Sequence, residues 1–300
     1  MKHLLKLMDW SSEEILSTLD LADKLKAENK AGVAHPLLKG KTLAMLFSKS
    51  STRTRVSFEV GMYQLGGHAL FVSNKESQIG RGEPVQDTAR VLSRYVDGIM
   101  IRTFAQSEVE GLAKYGSVPV INGLTDYAHP CQVLADLQTI REHKGKLEGL
   151  KLCFIGDGIN MANSLIVGGV KTGMTVSLAC PDTHRPDAGI LQWAGQSGRF
   201  TLTDDPKIAA KDADVIITDV WVSMGQEAEK IQREKDFAGY LVDDALMALA
   251  KPGCMVQHCL PAHRGEEITE SVFEAHAAEI FDEAENRLHA QKAVLVKLLG

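Results

Sequence analysis

Along the chain, short runs of near-continuous apolar residues alternate with longer stretches of mixed character. LAMLF (43–47), HALFVS (68–73), GIMIRT (98–103) and VPVINGL (118–124) make a first set of runs. KLCFIGD (151–157), TVSLACP (175–181), DVIITDVW (214–221) and MVQHCLP (255–261) make a second. Strands buried on both faces of a parallel sheet have this unbroken apolar character, and helices between them supply right-handed crossovers. Ser11 and Glu14 have the spacing of a capping box, which starts a first helix, and HPCQVLADLQTIREHKG predicts another, long one. EHKGKLEGLK (142–151) is charged and glycine-bearing, which marks a domain boundary. Three hundred residues also exceed a comfortable single core. The pattern therefore predicts an α/β protein of two doubly wound parallel-sheet domains, residues 1–145 and 146–284, with an active-site cleft between them.

In such folds ligands sit beyond the carboxyl ends of the strands. That rule selects SKSSTRTR after LAMLF, Arg102 after GIMI, HPCQ after VINGL, GDGIN after KLCFI, DVWVSMG after DVIIT and HCLP after MVQ. In SKSSTRTRVSFE (48–59), Ser50, Ser51, Thr52, Arg53, Thr54 and Arg55 stand at a helix entrance, where backbone N–H groups are unpaired and the dipole is positive. The group reads as an anion pocket with phosphate as the usual guest, and equally as an ordinary N-cap with two solvated arginines. His129 and Gln132 open another helix within reach of a carbonyl, although His129-Pro130 is also simply how a helix begins. Asp219, Ser223 and Met224 offer an acid and a hydroxyl to a zwitterionic substrate, or form a plain strand-end turn. Together these residues suit acyl-type transfer to an amine, with donors for a developing oxyanion and arginines for a phosphate leaving group.

Composition narrows the classes. The chain is 44% hydrophobic and 24% charged, with no apolar run approaching the roughly 20 residues that span a bilayer. MKHLLKLMDW begins cationic, but Asp9 and SSEE interrupt it, so no secretory signal is expected. A net charge of −6 without a basic tract disfavours nucleic acid and anionic membrane as partners. Cys131, Cys153, Cys180, Cys254 and Cys259 lack a CxxC pair and read as free thiols in a reducing compartment. Cys259, taken alone, is a buried thiol at a strand end. His258 and His263 have no partner cluster with zinc spacing, so no metal is expected. GDGINMAN tempts a dinucleotide reading, but Met161 stands where the fingerprint needs its third glycine, and no GxxxxGK[ST] loop is present.

SSTRTR, HPCQ, DVWVSMG and HCLPAHRG occur in that order at domain-scale spacings. With them the chain resembles the aspartate/ornithine carbamoyltransferase family, and its ornithine-using members in particular, from the first helix to the EAENR segment. The resemblance implies transfer of the carbamoyl group of carbamoyl phosphate to the δ-amine of L-ornithine, giving L-citrulline and phosphate in arginine metabolism, without cofactor, metal or covalent enzyme intermediate. It implies that Ser51, Thr52, Arg53 and Thr54 hold the phosphate with Arg55 alongside, and that Arg102, His129 and Gln132 contact phosphate and carbamoyl group. Arg287 is implied to return to the same ligand from a C-terminal helix, about 285–300, that packs back onto the first domain. Gln78 matches a loop glutamine that enters a neighbouring subunit's site, which implies a homotrimer with shared active sites; the free thiols place it in the cytoplasm. Asn160, Asp219, Ser223 and Met224 are implied around ornithine, and Cys259 with Leu260 near the reacting amine and the carbamoyl group. Arg102, His129 and Cys259 are the implied catalytic residues.

One departure stands out: the family shows two adjacent asparagines where this chain has Ile159 before Asn160. Competing readings are another amine acceptor (aspartate, putrescine or N-acetylornithine), a nicotinamide dehydrogenase, and a non-catalytic relative. The aspartate enzymes resemble the chain in STRTR but lack SMG and HCLP. A non-catalytic relative is expected to have lost one of Arg53, Arg102, His129 or Cys259, and all four are present.

Overall fold

A computed structural model describes residues 2–73, 82–223 and 225–300. The chain divides into two compact units, one of Met1–Ala135 with Asn286–Gly300 and the other of Asp136–Glu285.

In the first unit the strands are β1 (Thr42–Phe47), β2 (His68–Ser73), β3 (Gly98–Arg102) and β4 (Val120–Leu124). The helices are α1 (Ser12–Lys30), α2 (Thr52–Gln64), α3 (Val85–Leu92), α4 (Gln106–Tyr115) and the start of α5 (Pro130–Lys144). The sheet is parallel with order β2-β1-β3-β4. Ser11 caps α1 in a full capping box with Glu14, and α5 opens on Pro130, where a missing N–H costs nothing. Ala44, Leu46, Ile99, Ile101, Val109, Leu112 and Val120 pack into one cluster beneath α3 and α4. β2 departs from the expectation of a strand buried on both faces: Leu70 and Phe71 are 42% and 38% exposed. It is an edge strand, with Leu70 and Phe71 exposed within this chain while Val72 packs on the core cluster.

The second unit holds β5 (Lys151–Ile155), β6 (Thr175–Ala179), β7 (Phe200–Thr203), β8 (Val215–Thr218) and β9 (Met255–His258). Between them lie α6 (Asn160–Lys171), α7 (Ala188–Gln196), α8 (Pro206–Ala210), α9 (Lys230–Asp236) and α10 (Asp244–Met247), followed by α11 (Glu270–Ala275). This sheet is also parallel, with order β7-β6-β5-β8-β9. The apolar pattern does not reveal β7, because FTLT is a short, largely half-exposed edge strand with no continuous apolar run.

The last helix, α12 (Ala277–Leu299), begins in the second unit and ends in the first. In the first unit two buried lysines fasten it: Lys26 donates to Asn286 Oδ1 at 2.8 Å, and Lys292 donates to Gln64 Oε1 at 2.8 Å and lies 2.6 Å from His35 Nε2. Burial pushes the Lys292 ammonium down to about 8. No helix among the described residues is long and apolar enough to cross a membrane.

Both strand orders reverse once. In the first unit the chain runs outward from β1 to β2 and returns on the other side of β1 as β3. In the second it runs from β5 through β6 to β7 and returns beside β5 as β8. Each reversal leaves two neighbouring strand ends whose loops diverge, and that opening is where an α/β sheet accepts a ligand. The loop after β5 is close-packed: Gly158 donates to His184 O at 3.0 Å, and a Cβ there would meet that oxygen at 2.2 Å and Pro186 N at 2.5 Å. These are backbone atoms of the 184–186 segment, which cannot swing aside as a flexible side chain would. Gly158→Ala is therefore expected to lose about 3 kcal/mol or more in urea denaturation; an unchanged midpoint would show that the loop repacks freely.

Candidate active site

The first unit's reversal gathers four elements. Ser51 caps α2: its Oγ accepts the Thr54 N–H at 3.2 Å and donates to Thr54 Oγ1 at 3.1 Å. Phe58 and Met62 bury the opposite side of that helix, leaving Thr52 exposed and Arg53 half-buried on its first turn. Arg102 ends β3, His129 precedes α5, and Gln132 lies in its first turn; all three are buried. Arg287 comes from α12. Its guanidinium donates to Gln132 Oε1 at 2.6 Å and Thr54 Oγ1 at 3.3 Å, and to Gln291 Oε1 at 3.1 and 2.9 Å through Nε and Nη2. Gln291 in turn donates to Ser57 Oγ at 2.6 Å. Burial and the guanidinium charges of Arg287, Arg102 and Arg53 hold the His129 imidazole well below its ordinary value, so the ring is neutral at pH 7. The result is a local excess of positive charge in an acidic protein, beside a helix N-terminus. It is chemically suited to a phosphate dianion, with a neutral imidazole that can hydrogen-bond a carbonyl oxygen.

Arg55 stays out of this group. Two residues along a helix turn a side chain by about 200°, and Arg55 lies exposed, donating to Glu59 Oε1 at 2.9 Å with its guanidinium 3.8 Å over the Phe71 ring. Gln78 and Met224 lie outside the described residues.

In the second unit, Asn160 opens α6 and its Oδ1 accepts the Met161 N–H at 2.8 Å. Ile159 occupies the N-cap and makes no side-chain cap bond, as an aliphatic side chain must. Asp219 follows β8, and its Oδ1 accepts the Val220 N–H at 2.8 Å and the Cys259 thiol at 3.0 Å. Burial raises the Asp219 carboxyl; burial first and then the Asp219 charge push the Cys259 thiol far up. The thiol is thus a protonated donor at neutral pH. Ser223 N–H donates to Gln226 Oε1 at 3.0 Å in a tight turn. Arg233 on α9 donates to Trp221 O at 2.6 Å and to Asp157, and burial pushes Asp157 up to about 6 despite that guanidinium. Asp219, His258 and Cys259 bring ligand atoms within 4.8 Å of one another, as do His263, Glu266 and Glu267. In the first group the thiol and carboxylate already bond to each other.

A model of the aspartate/ornithine carbamoyltransferase carbamoyl-phosphate-binding domain matches residues 2–142, and one of the aspartate/ornithine-binding domain matches 148–298. The chain belongs to this family. An ornithine carbamoyltransferase from Pelobacter propionicus is 59% identical over 100% of this chain and 99% of its own. Among solved structures, ornithine carbamoyltransferase from Pyrococcus furiosus superposes with a TM-score of 0.95 at 53% identity, covering 100% and 97% of the two chains. The anabolic enzyme from Campylobacter jejuni superposes with 0.94 at 44% identity, covering 99% of each.

For this carbamoyltransferase-family chain, reading the residues in order missed three groups. Gln291 is one helical turn beyond Arg287 and Ser57 one turn beyond Arg53, a spacing visible in the sequence. Lys49 immediately precedes the hydroxyl run; it is buried, 2.5 Å from Asp126 Oδ1 and 4.2 Å over the Phe104 ring. Glu267 gives no sequence signal.

The depressed His129 has a consequence for stability. As pH falls below about 6.5 the unfolded chain binds the proton and the folded chain does not, so stability falls with pH there and is unaffected above it. Replacing His129 by Gln removes this dependence. Denaturation between pH 7 and 5 should give a flatter slope for the variant, and equal slopes would refute the assignment.

Proposed function

We propose that the chain transfers the carbamoyl group of carbamoyl phosphate to the δ-amine of L-ornithine, forming L-citrulline and phosphate. The observation that carries this reading is the convergence of Arg53, Arg102 and Arg287 on neutral His129 at the entrance of α2. Ser51, Thr52, Arg53 and Thr54 hold the phosphate through side chains and the α2 N-terminus, with Arg102, Gln132 and Arg287 completing its charge balance. Thr54, Arg102 and His129 donate to the carbamoyl oxygen, where negative charge develops as the amine adds. Asn160, Asp219, Ser223 and Met224 hold the amino acid, and Cys259 with Leu260 meets the reacting end.

An amine of pKa about 10 is mostly protonated at neutral pH and must shed its proton before attack. Burial around Cys259 and Asp219 favours the neutral amine, and the Asp219 carboxylate, which burial makes more basic, takes the proton. Ornithine as acceptor is supported by relatives 54–59% identical to this chain, and by the intact Asp219-to-Met224 sequence.

We further infer a homotrimer in which Gln78 reaches a neighbouring subunit's site; the exposed apolar side chains of edge strand β2, Leu70 and Phe71, support a surface covered by another copy. The thiols, all free, fit a reducing compartment such as the cytoplasm, and the role is in arginine metabolism, in synthesis or breakdown.

The decisive assay is citrulline formation from carbamoyl phosphate and ornithine, with aspartate, putrescine and N-acetylornithine in parallel. Activity with ornithine alone is expected; turnover of another amine would leave the carbamoyl-phosphate half standing and remove ornithine. Arg287→Met is expected to weaken carbamoyl phosphate roughly 10- to 150-fold, the worth of one charge-assisted bond. Cys259→Ala should lower kcat, and undiminished turnover would remove the thiol from the proton-handling role.

A further inference from the structure

Leu260 has φ +58, in the left-handed region that side chains with a Cβ seldom adopt. Among the described non-glycine residues only Asp212 shares it, and aspartate tolerates that conformation through local hydrogen bonds that leucine cannot make. Strained backbone persists where its surroundings over-determine it, and such places cluster at functional sites.

The holding contact here is specific. Leu260 N–H donates to His258 Nδ1 at 2.9 Å. A backbone N–H can only donate, so Nδ1 carries the lone pair and the ring proton sits on Nε2. Nε2 lies 3.0 Å from Glu267 Oε1, and a carboxylate can only accept. The two partners thus select one neutral tautomer from opposite sides. Both side chains are fully buried.

Each end of this arrangement is anchored. Val242 N–H donates to Glu267 O at 2.9 Å, and Glu267 Oε1 also accepts the His263 N–H at 2.5 Å. His258 closes β9, and its own N–H donates to Glu283 Oε2 at 2.9 Å. The only chain between His258 and the turn leading to Glu267 that carries site chemistry is Cys259-Leu260, with the Cys259 thiol on Asp219.

We propose that His258, locked as its Nε2–H tautomer by Glu267, is a positioning residue that accepts the Leu260 N–H and so holds the Cys259–Leu260 segment in its working geometry. This rests on the carbamoyl transfer proposed above. A second proton, or the opposite tautomer, would set Nδ1–H against the Leu260 N–H and release the segment.

Asparagine places its amide oxygen near the position of Nδ1, whereas glutamine places its amide near Nε2. His258→Leu is expected to lower kcat about 30- to 100-fold with KM for carbamoyl phosphate unchanged, because the phosphate group is held by the other unit. His258→Asn should recover at least about tenfold of that loss and His258→Gln should not. A leucine variant with wild-type kcat, or a glutamine variant as good as the asparagine one, overturns the proposal.

Because any of these variants can fail to fold, the tautomer is also read in the wild-type chain, from ¹⁵N resonances of labelled imidazoles. An unprotonated Nδ1 with a protonated Nε2 is expected at His258, and a proton on Nδ1 overturns the proposal without any variant. If wild-type protein made no citrulline, the functional reading would fail while the tautomer measurement still decided the geometry.

Discussion

The first unit's site depends on one buried guanidinium. Arg287 bonds Gln132, Thr54 and Gln291 at once, joining α5, α2 and its own helix across 233 residues of sequence. An unpaired charge in that position would be costly to bury, so the neighbouring carboxamides and hydroxyl are needed as acceptors before any ligand arrives. Two further buried cations, Lys26 and Lys292, fix α12 on α1 and α2, so the register of the whole helix sets where the Arg287 fork points. Stability and ligand geometry are here one property of the α12 contact.

The two units solve the same problem with different side chains. A parallel sheet that reverses its strand order leaves a pair of strand ends with diverging loops, and both reversals in this chain are lined with polar chemistry. At the first, arginines surround a neutral histidine. At the second, burial raises both a carboxyl and a thiol, and the thiol donates to the carboxylate. One unit is electrostatically built for an anion; the other is a low-dielectric acceptor set suited to a polar amino acid. The neutral state of His129 belongs with the first: a protonated ring would add one more buried cation beside the guanidiniums of Arg287, Arg102 and Arg53, which oppose it.

Much of this was legible in the residues. Eight strands announce themselves as apolar runs, β2 among them, whereas β7 is short and half-exposed and leaves no such trace. β2 shows the converse: its run is apolar, yet it is an edge strand with Leu70 and Phe71 exposed. The polar segments at the strand ends were legible because the alternation of strands and helices dictates where those ends fall. Arg55 was misjudged by proximity in sequence, since the helix turns it away from Arg53 toward Glu59 and Phe71. Glu267 was invisible because its partner, His258, is brought to it by a turn whose path no periodicity encodes. Ile159 was seen as a departure, and the structure gives its local meaning: an uncapped first turn of α6.

On the proposed function, the cradle at the entrance of α2 holds a phosphoryl group by charge and shape, and nothing in its arginines distinguishes phosphate on an anhydride from phosphate set free. After the acyl group has moved on, the leaving dianion sits among the same guanidiniums that welcomed its precursor. Tight capture of the donor and slow clearance of the by-product are therefore the same electrostatic fact, and the rate at which the cradle empties sets a ceiling on how strongly it can be built.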